Sequence, residues 1–313
     1  MAKDLRVGIV GSGVVGQATG RGFLAHGFPV TFIDTNLNTV QRLRHEGLSA
    51  YTPSERADQA PEFDVTILTV PTPTQNGEIN LQYLEAAAVD LGRRFKHAAH
   101  YHVVVVRSTV VPGTTEKVVI STLEQYSGKK AGRDFGVCMN PEYLREKKST
   151  EDFAHPWIVV IGQYDQRSGD TVAALYRDFQ CPVYRLSLQE AETQKYVHNL
   201  FNAVKITFFN EFRQICEKAR VSADAIFPLV AQSAEGMFNP EYGIRNFGPF
   251  DGMCLPKDTQ AFLSWARAHG WDMPLLAQAI AVNNELVARQ SRPAPAVRQA
   301  ARDMVVAPSA AAF

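Results

Sequence analysis

Arg6-Val7-Gly8-Ile9-Val10-Gly11-Ser12-Gly13-Val14-Val15-Gly16 is the stretch whose reading decides the fold. A short β-branched run turns through three glycines into a helical pattern from Gln17 to His26. Each glycine answers a separate need. Gly11 allows a tight turn, Gly13 lets the backbone approach a pyrophosphate, and Gly16 lets the helix pack closely on the strand. The helix N-terminus, with Val14 and Val15 just ahead of it as cofactor contacts, then faces the phosphates. In isolation the same pattern also fits a plain tight turn. Here it follows a strand, opens a helix, and is followed about 20 residues on by Asp34, at the end of a second strand, Pro29 to Ile33. Asp34 suits the adenosine ribose hydroxyls and would repel a 2′-phosphate. The following Thr35-Asn36-Leu37 offers no arginine to neutralise one, so the expected cofactor is NAD rather than NADP.

Outward from this motif, further short runs alternate with amphipathic segments: Asp64 to Val70, His102 to Val106, Phe135 to Met139, Ile158 to Ile161 and Pro182 to Leu186. Several are apolar on both faces, as buried parallel strands are. After Leu186 the β signal stops. Gln189 to Ala219 reads as one long helix without Gly or Pro, followed by helices at Ala223 to Ala231, Lys257 to Ala268 and Pro274 to Ala288. The loop between them, Glu235 to Cys254, is long enough to suggest a functional role. The expected fold is α/β: a Rossmann-type doubly wound parallel sheet over residues 1–188, then an all-helical central and dimerisation domain over 189–290. Residues 291–313 read as a low-complexity tail. A long helix apolar on more than one face predicts a homodimer.

The 313 residues carry 32 basic and 32 acidic side chains, so no global field exists for wrapping nucleic acid or coating an anionic membrane. Any anionic substrate must be held locally. The four cysteines form no Cys-x-x-Cys pair and no zinc-type spacing with histidine, so neither a disulfide scaffold nor a metal is expected. Met1 to Leu5 is too polar for a signal peptide, and no apolar run reaches the ~18 residues of a membrane span. A reducing cytoplasm is the expected location.

Three strand ends carry polar residues where an open α/β sheet places its ligand crevice: Val70-Pro71-Thr72-Pro73-Thr74, Arg107-Ser108-Thr109-Val110-Val111-Pro112-Gly113-Thr114, and Asn140-Pro141-Glu142-Tyr143-Leu144-Arg145-Glu146. Each alone is compatible with turn chemistry. On the long helix Lys195 and Asn199, four apart, share a face, and Tyr196, Leu200 and Ala203 read as packing positions near an interface. Cys254 lies in Asp251-Gly252-Met253-Cys254-Leu255-Pro256-Lys257-Asp258, at the start of a helix. The dipole and Lys257 favour a thiolate there, and Asp258 is spaced to point back at it. Spacing alone leaves an inert cysteine and a nucleophile equally open. Cys138 and Cys216 read as core.

Taken in order, Gly11 to Gly16, Val70 to Thr74, Arg107 to Thr114, Asn140 to Glu146, Lys195 with Asn199, Lys205 to Glu211 and Cys254 to Asp258 resemble the NAD-dependent nucleotide-sugar 6-dehydrogenases, the UDP-glucose and GDP-mannose dehydrogenase family. Arg107-Ser108-Thr109 and the segment Ser127 to Val137 are closest to the GDP-mannose branch. The resemblance implies a four-electron oxidation of a primary alcohol to a carboxylate. It makes Cys254 the nucleophile that forms a thiohemiacetal and then a thioester. Lys195 and Asn199 would stabilise the oxyanion and hold a water, and Asp258, with that water or Lys195, would take the alcohol proton. Glu142 and Glu146, with Thr109, would serve hydrolysis. The resemblance also carries cofactor contacts to Val70, Pro71, Thr72, Ser108, Thr109, Glu146 and Lys257.

The chain departs from that pattern in two places. The family continues into a second α/β domain for the nucleotide of the substrate, which residues 291–313 are too few to build. Asp251 replaces a glycine, and Phe238 stands where a partner-supplied arginine is usual, with Arg245 as a substitute. Alternatives therefore stay open: a compact relative acting on another phosphorylated or nucleoside alcohol, a two-electron β-hydroxyacid-type dehydrogenase, or a non-catalytic NAD-binding protein.

Overall fold

In the computed structural model, which describes residues 4–55, 63–96, 98, 100–244 and 248–290, the β-branched runs become strands and the amphipathic segments the helices between them. The order is β1 (Val7–Val10), α1 (Val14–Ala25), β2 (Val30–Ile33), α2 (Leu37–His45), β3 (Ala50–Tyr51), β4 (Val65–Leu68), a hairpin of β5 (Thr74–Gln75) and β6 (Glu78–Ile79), α3 (Gln82–Phe95) and β7 (Val103–Val106). A π-helical segment, Thr115–Ile120, then runs directly into α4 (Ser121–Ser127). Next come β8 (Gly136–Met139), α5 (Ser149–Ala154), β9 (Val159–Gln163), α6 (Gln166–Leu175) and β10 (Val183–Ser187). The helices that follow are α7 (Leu188–Ala219), α8 (Ala223–Ser233), α9 (Glu235–Phe238), α10 (Leu255–Ala268) and α11 (Pro274–Gln290). Two units result, residues 1–200 and 201–313.

In the first unit the eight-stranded sheet runs β10-β9-β8-β7-β4-β1-β2-β3. The chain winds outward from β1 to β3 and then returns to the other side of β1 as β4, which creates a switch point between β1 and β4. Alternate side chains feed two separate cores. Ile9, Ile67, Val103 and Val105 pack on one face with Phe23 of α1 and Phe153 of α5. Val104, Val106, Val137 and Met139 pack on the other with Leu84 and Leu91 of α3 and Leu123 of α4.

The expected parallel sheet is present, with one antiparallel junction near its edge. β1, β2, β3, β4, β7 and β8 are parallel, but β9 pairs antiparallel with β8, and β10 follows β9. A parallel return needs a crossover that retraces the sheet. The connection after β8 contains only the six-residue α5 as α-helix, so the chain re-enters from the carboxyl edge it has just left. The loop read between Glu235 and Cys254 is also interrupted, by α9.

In the second unit Ile215, Leu263, Ala266 and Met273 form a smaller core. Two buried polar residues brace it. Glu211 accepts from the Leu275 and Leu276 N–H groups at the start of α11, and Asn283 exchanges bonds with Phe250 N–H and C=O at 2.7 and 3.1 Å. No described helix is long and apolar enough to cross a membrane.

Phe23 anchors the first core, edge-on to Phe28, Phe153, Tyr176 and Phe179 with centroids 5.1 to 6.2 Å away. Phe23→Ala is expected to lower stability by about 3–5 kcal/mol, read from urea unfolding followed by circular dichroism.

Candidate active site

The glycine turn sits at the switch point. Gly11 has φ +91°, and a Cβ there would meet the Thr69 and Val70 backbone at 2.9 Å, so the loops after β1 and β4 touch. A Cβ on Gly16 would lie 2.0 Å from the Gly11 carbonyl oxygen. Around Gly13 nothing would lie within 4 Å, which leaves open space in front of α1. Helix α2 is capped by Asn36 and α6 by Asp165, whereas no side chain caps α1 and its first turn holds no acid. Its first N–H groups are left for an anion from outside. The Asp34 carboxylate accepts from Ser12 N–H at 2.6 Å and Asn36 N–H at 2.8 Å, which holds it at the rim of the same turn. An uncapped helix start, an open approach and a rim carboxylate fit a dinucleotide.

Next to this cradle the three strand-end loops are bonded together. Thr72 Oγ1 donates to the Thr109 carbonyl at 2.7 Å, and Ser108 Oγ donates to the Val70 carbonyl at 2.6 Å. Arg107, buried, donates through Nη1 to Asn140 Oδ1 at 2.6 Å and to Tyr176 at 3.2 Å, with its guanidinium over the Phe153 ring. Tyr176 in turn donates to Asn140 Oδ1 at 2.6 Å. A buried cation is thus carried by neutral acceptors and an aromatic face.

The long helix closes the third loop. Lys195 Nζ donates to Glu142 Oε1 at 3.1 Å and also to the Glu142 carbonyl, and the two side chains are only 6% and 15% exposed. Glu142 Oε2 accepts from Leu144 N–H at 2.6 Å. Tyr143 donates to Gln194 and lies tilted against the His198 ring at 4.9 Å between centroids, and burial pushes its phenol up to about 12, so it stays a neutral donor. Burial and the neighbouring Lys195 charge lower the pKa of His198, against a smaller opposing effect of Glu142. At its outer end the loop is tied by Arg145, which grips the buried Asp152.

Lys195 and Asn199 share a helix face as expected, yet Lys195 is buried and Asn199 exposed. Leu200 and Ala203, read as packing positions near an interface, are exposed, in line with Val197, Phe201 and Val204, which are exposed among the described residues. In the second unit Cys254 is exposed, at the N-cap of α10, and its carbonyl accepts the first helical bond from Asp258 N–H at 2.8 Å. The Asp258 carboxylate pairs with the adjacent Lys257 at 3.0 Å. The Glu146 side chain, Arg245 and residues 291–313 lie outside the described residues. Among the described residues no group of three or more His, Cys, Asp or Glu could hold a metal ion. Sequence reading missed Glu192, Asn140, Tyr176 and Asn283 as polar anchors. Only Asn140 lay in a stretch already singled out.

Residues 5–180 match the NAD binding domain of the UDP-glucose/GDP-mannose dehydrogenase family, and residues 189–285 match its central domain. The chain belongs to this family. It is an NAD-dependent dehydrogenase of the kind that acts on CH–OH donors. GDP-mannose 6-dehydrogenase of Pseudomonas putida is 34% identical over 303 residues, 90% of this chain and 69% of that protein. The structure of a ternary complex of GDP-mannose dehydrogenase from Pseudomonas aeruginosa superimposes with a TM-score of 0.84 at 32% identity, covering 91% of this chain and 70% of that one. A UDP-glucose dehydrogenase from Pyrobaculum islandicum gives 0.69 at 32% identity, over 92% and 69%.

Removing one partner of a buried ion pair strands the other charge. Lys195→Met is therefore expected to cost about 3–5 kcal/mol in denaturant unfolding, more than a surface ion pair such as Lys148–Glu151 contributes.

Proposed function

We propose that the chain oxidises the primary alcohol of a nucleotide sugar to a carboxylate through a covalent adduct on Cys254. What carries this reading is the free, exposed Cys254 at the first turn of α10, with its thiol open to a substrate carbon. NAD, when bound, accepts one hydride in each of two oxidations. Gly11, Gly13, Val14, Val15 and Gly16 would hold its pyrophosphate and Asp34 its ribose. Val70, Pro71, Thr72, Ser108, Thr109, Glu146 and Lys257 would complete its contacts.

The residues divide the proton work. Asp258 takes the alcohol proton as the carbon loses hydride, which leaves an aldehyde. The Cys254 thiolate adds to that carbonyl, forming a C–S bond. Lys195 and Asn199 donate to the oxyanion and so hold the thiohemiacetal. Loss of the second hydride gives a thioester. Glu142 and Glu146, with Thr109 beside them, orient and deprotonate the water that displaces the thiol and yields the carboxylate. Tethering prevents release of the aldehyde between the two oxidations.

The reading divides the chain into an NAD-binding domain to residue 188, a helical domain over 189–290 and a tail, in keeping with family matches ending at 180 and beginning at 189. It places the protein in the cytoplasm, where four free thiols would persist. The uncovered stripe Val197, Leu200, Phe201 and Val204 would be buried by a second copy of the chain.

Supplied with NAD and either GDP-mannose or UDP-glucose, the protein is expected to release two NADH for each carboxylate. One NADH per substrate would instead identify a two-electron enzyme. Cys254→Ala should bind NAD normally by fluorescence titration and form no carboxylate. In sedimentation velocity the unaltered chain should run as a dimer and Val204→Asp as a monomer.

A further inference from the structure

One turn before Lys195 on the long helix stands Glu192, whose side chain is fully buried. Its carboxylate accepts from Gly113 N–H at 2.5 Å and from Thr115 N–H at 2.7 Å. Both donors are backbone groups at the start of the continuous helical stretch from Thr115 to Ser127. These are N–H groups that a helix cannot satisfy internally, at the end where its dipole is positive. The arrangement is mutual: a carboxylate without water needs donors, and buried donors need an acceptor. Gly113, with φ +90°, turns the chain so that the two N–H groups converge on one carboxylate. Thr114 closes the same turn by donating from Oγ1 to the Val111 carbonyl at 2.7 Å.

The loop held this way is the one that carries Thr109. At its near end Thr72 pins the Thr109 carbonyl, and at its far end Glu192 pins Gly113 and Thr115. Glu192 and Lys195 are three apart and so project from one face of the helix. A single turn therefore grips two loops: Glu192 holds the loop after β7 and Lys195 the loop after β8, through Glu142. A leucine at position 192 would suit the surrounding core of Leu188, Ala191 and Val119. A buried carboxylate is a poor source of stability but a strict source of geometry.

We propose that Glu192 is a positioning residue, setting where Thr109 stands relative to the Lys195–Glu142 pair by holding the Gly113 and Thr115 N–H groups. The inference rests on the proposed role of Thr109. Glu192→Gln keeps the shape and one acceptor oxygen but turns an NH2 group toward the second N–H. Hydrogen exchange at Gly113 and Thr115 should then accelerate while Gly11 and Ser12, whose N–H groups bond to Ile33 and Asp34, exchange as before. The rate kcat should fall about 10- to 100-fold, as small misplacements of reacting groups do, while NAD affinity, for which Thr109 is one contact among many, should change far less. Glu192→Asp, which keeps the charge but shortens the reach, should fall between the two, and it carries the same comparison if Glu192→Gln does not fold. Faster exchange at these two amides with kcat unchanged would overturn the proposal. So would a loss of NAD affinity as large as the loss of kcat, which marks a general loosening of the cofactor site rather than misplacement of Thr109. Absence of turnover in the unaltered chain is a separate result, and it would sink the proposed function together with the inference built on it.

Discussion

An ion pair withdrawn from water governs the carboxyl edge of the sheet. Lys195 and Glu142 are both shielded from solvent, and neither charge tolerates being left alone there. The pair constrains its surroundings because every remaining lone pair and proton must also be answered. Leu144 N–H takes the second carboxylate oxygen, and the Glu142 carbonyl takes another ammonium proton. Together these bonds hold the loop after β8 against the long helix. The base of that loop is set in turn by Arg107, Asn140 and Tyr176, whose mutual bonds join the ends of β7 and β8.

The cofactor half is built on the opposite principle. There the structure withholds side chains: no Cβ at Gly11, Gly13 or Gly16, and no capping acceptor on α1. The unsatisfied donors are left open for a phosphate, and Asp34 at the rim is a strong acceptor held against the same turn by Ser12 N–H. Ligand charge can then do what a capping side chain does on α2 and α6. The two halves meet through the bonds Thr72 to Thr109 and Ser108 to Val70, so the cofactor loops and the polar loops share one frame.

Much of this was legible in the chain. The glycine turn, the strand runs and the long helix are local features whose period and punctuation show in a few consecutive residues. The spacing of Lys195 and Asn199 correctly predicted a shared face. It did not predict that one would be buried and the other exposed, because burial depends on which loop lies over that face. Asp258 shows the same limit: spacing left open what its carboxylate meets, and it pairs with the adjacent Lys257. Glu192 and Asn283 gave no local signal at all. Each is a polar residue in a helix, indistinguishable in sequence from solvated surface until its distant backbone partner is known.

The sequence by itself determined the element types and the glycine turn, and through the order of its motifs the membership of the family and with it NAD. The elements and the turn follow from short-range geometry: a helix or strand period and a φ open only to glycine. Tertiary structure alone decided that β9 and β10 run against the rest of the sheet, that Lys195 closes on Glu142, and that Glu192 holds the loop of Thr109. Those outcomes turn on groups far apart in the chain competing for the same buried donors and acceptors. That competition is settled only once the elements are packed and water is gone.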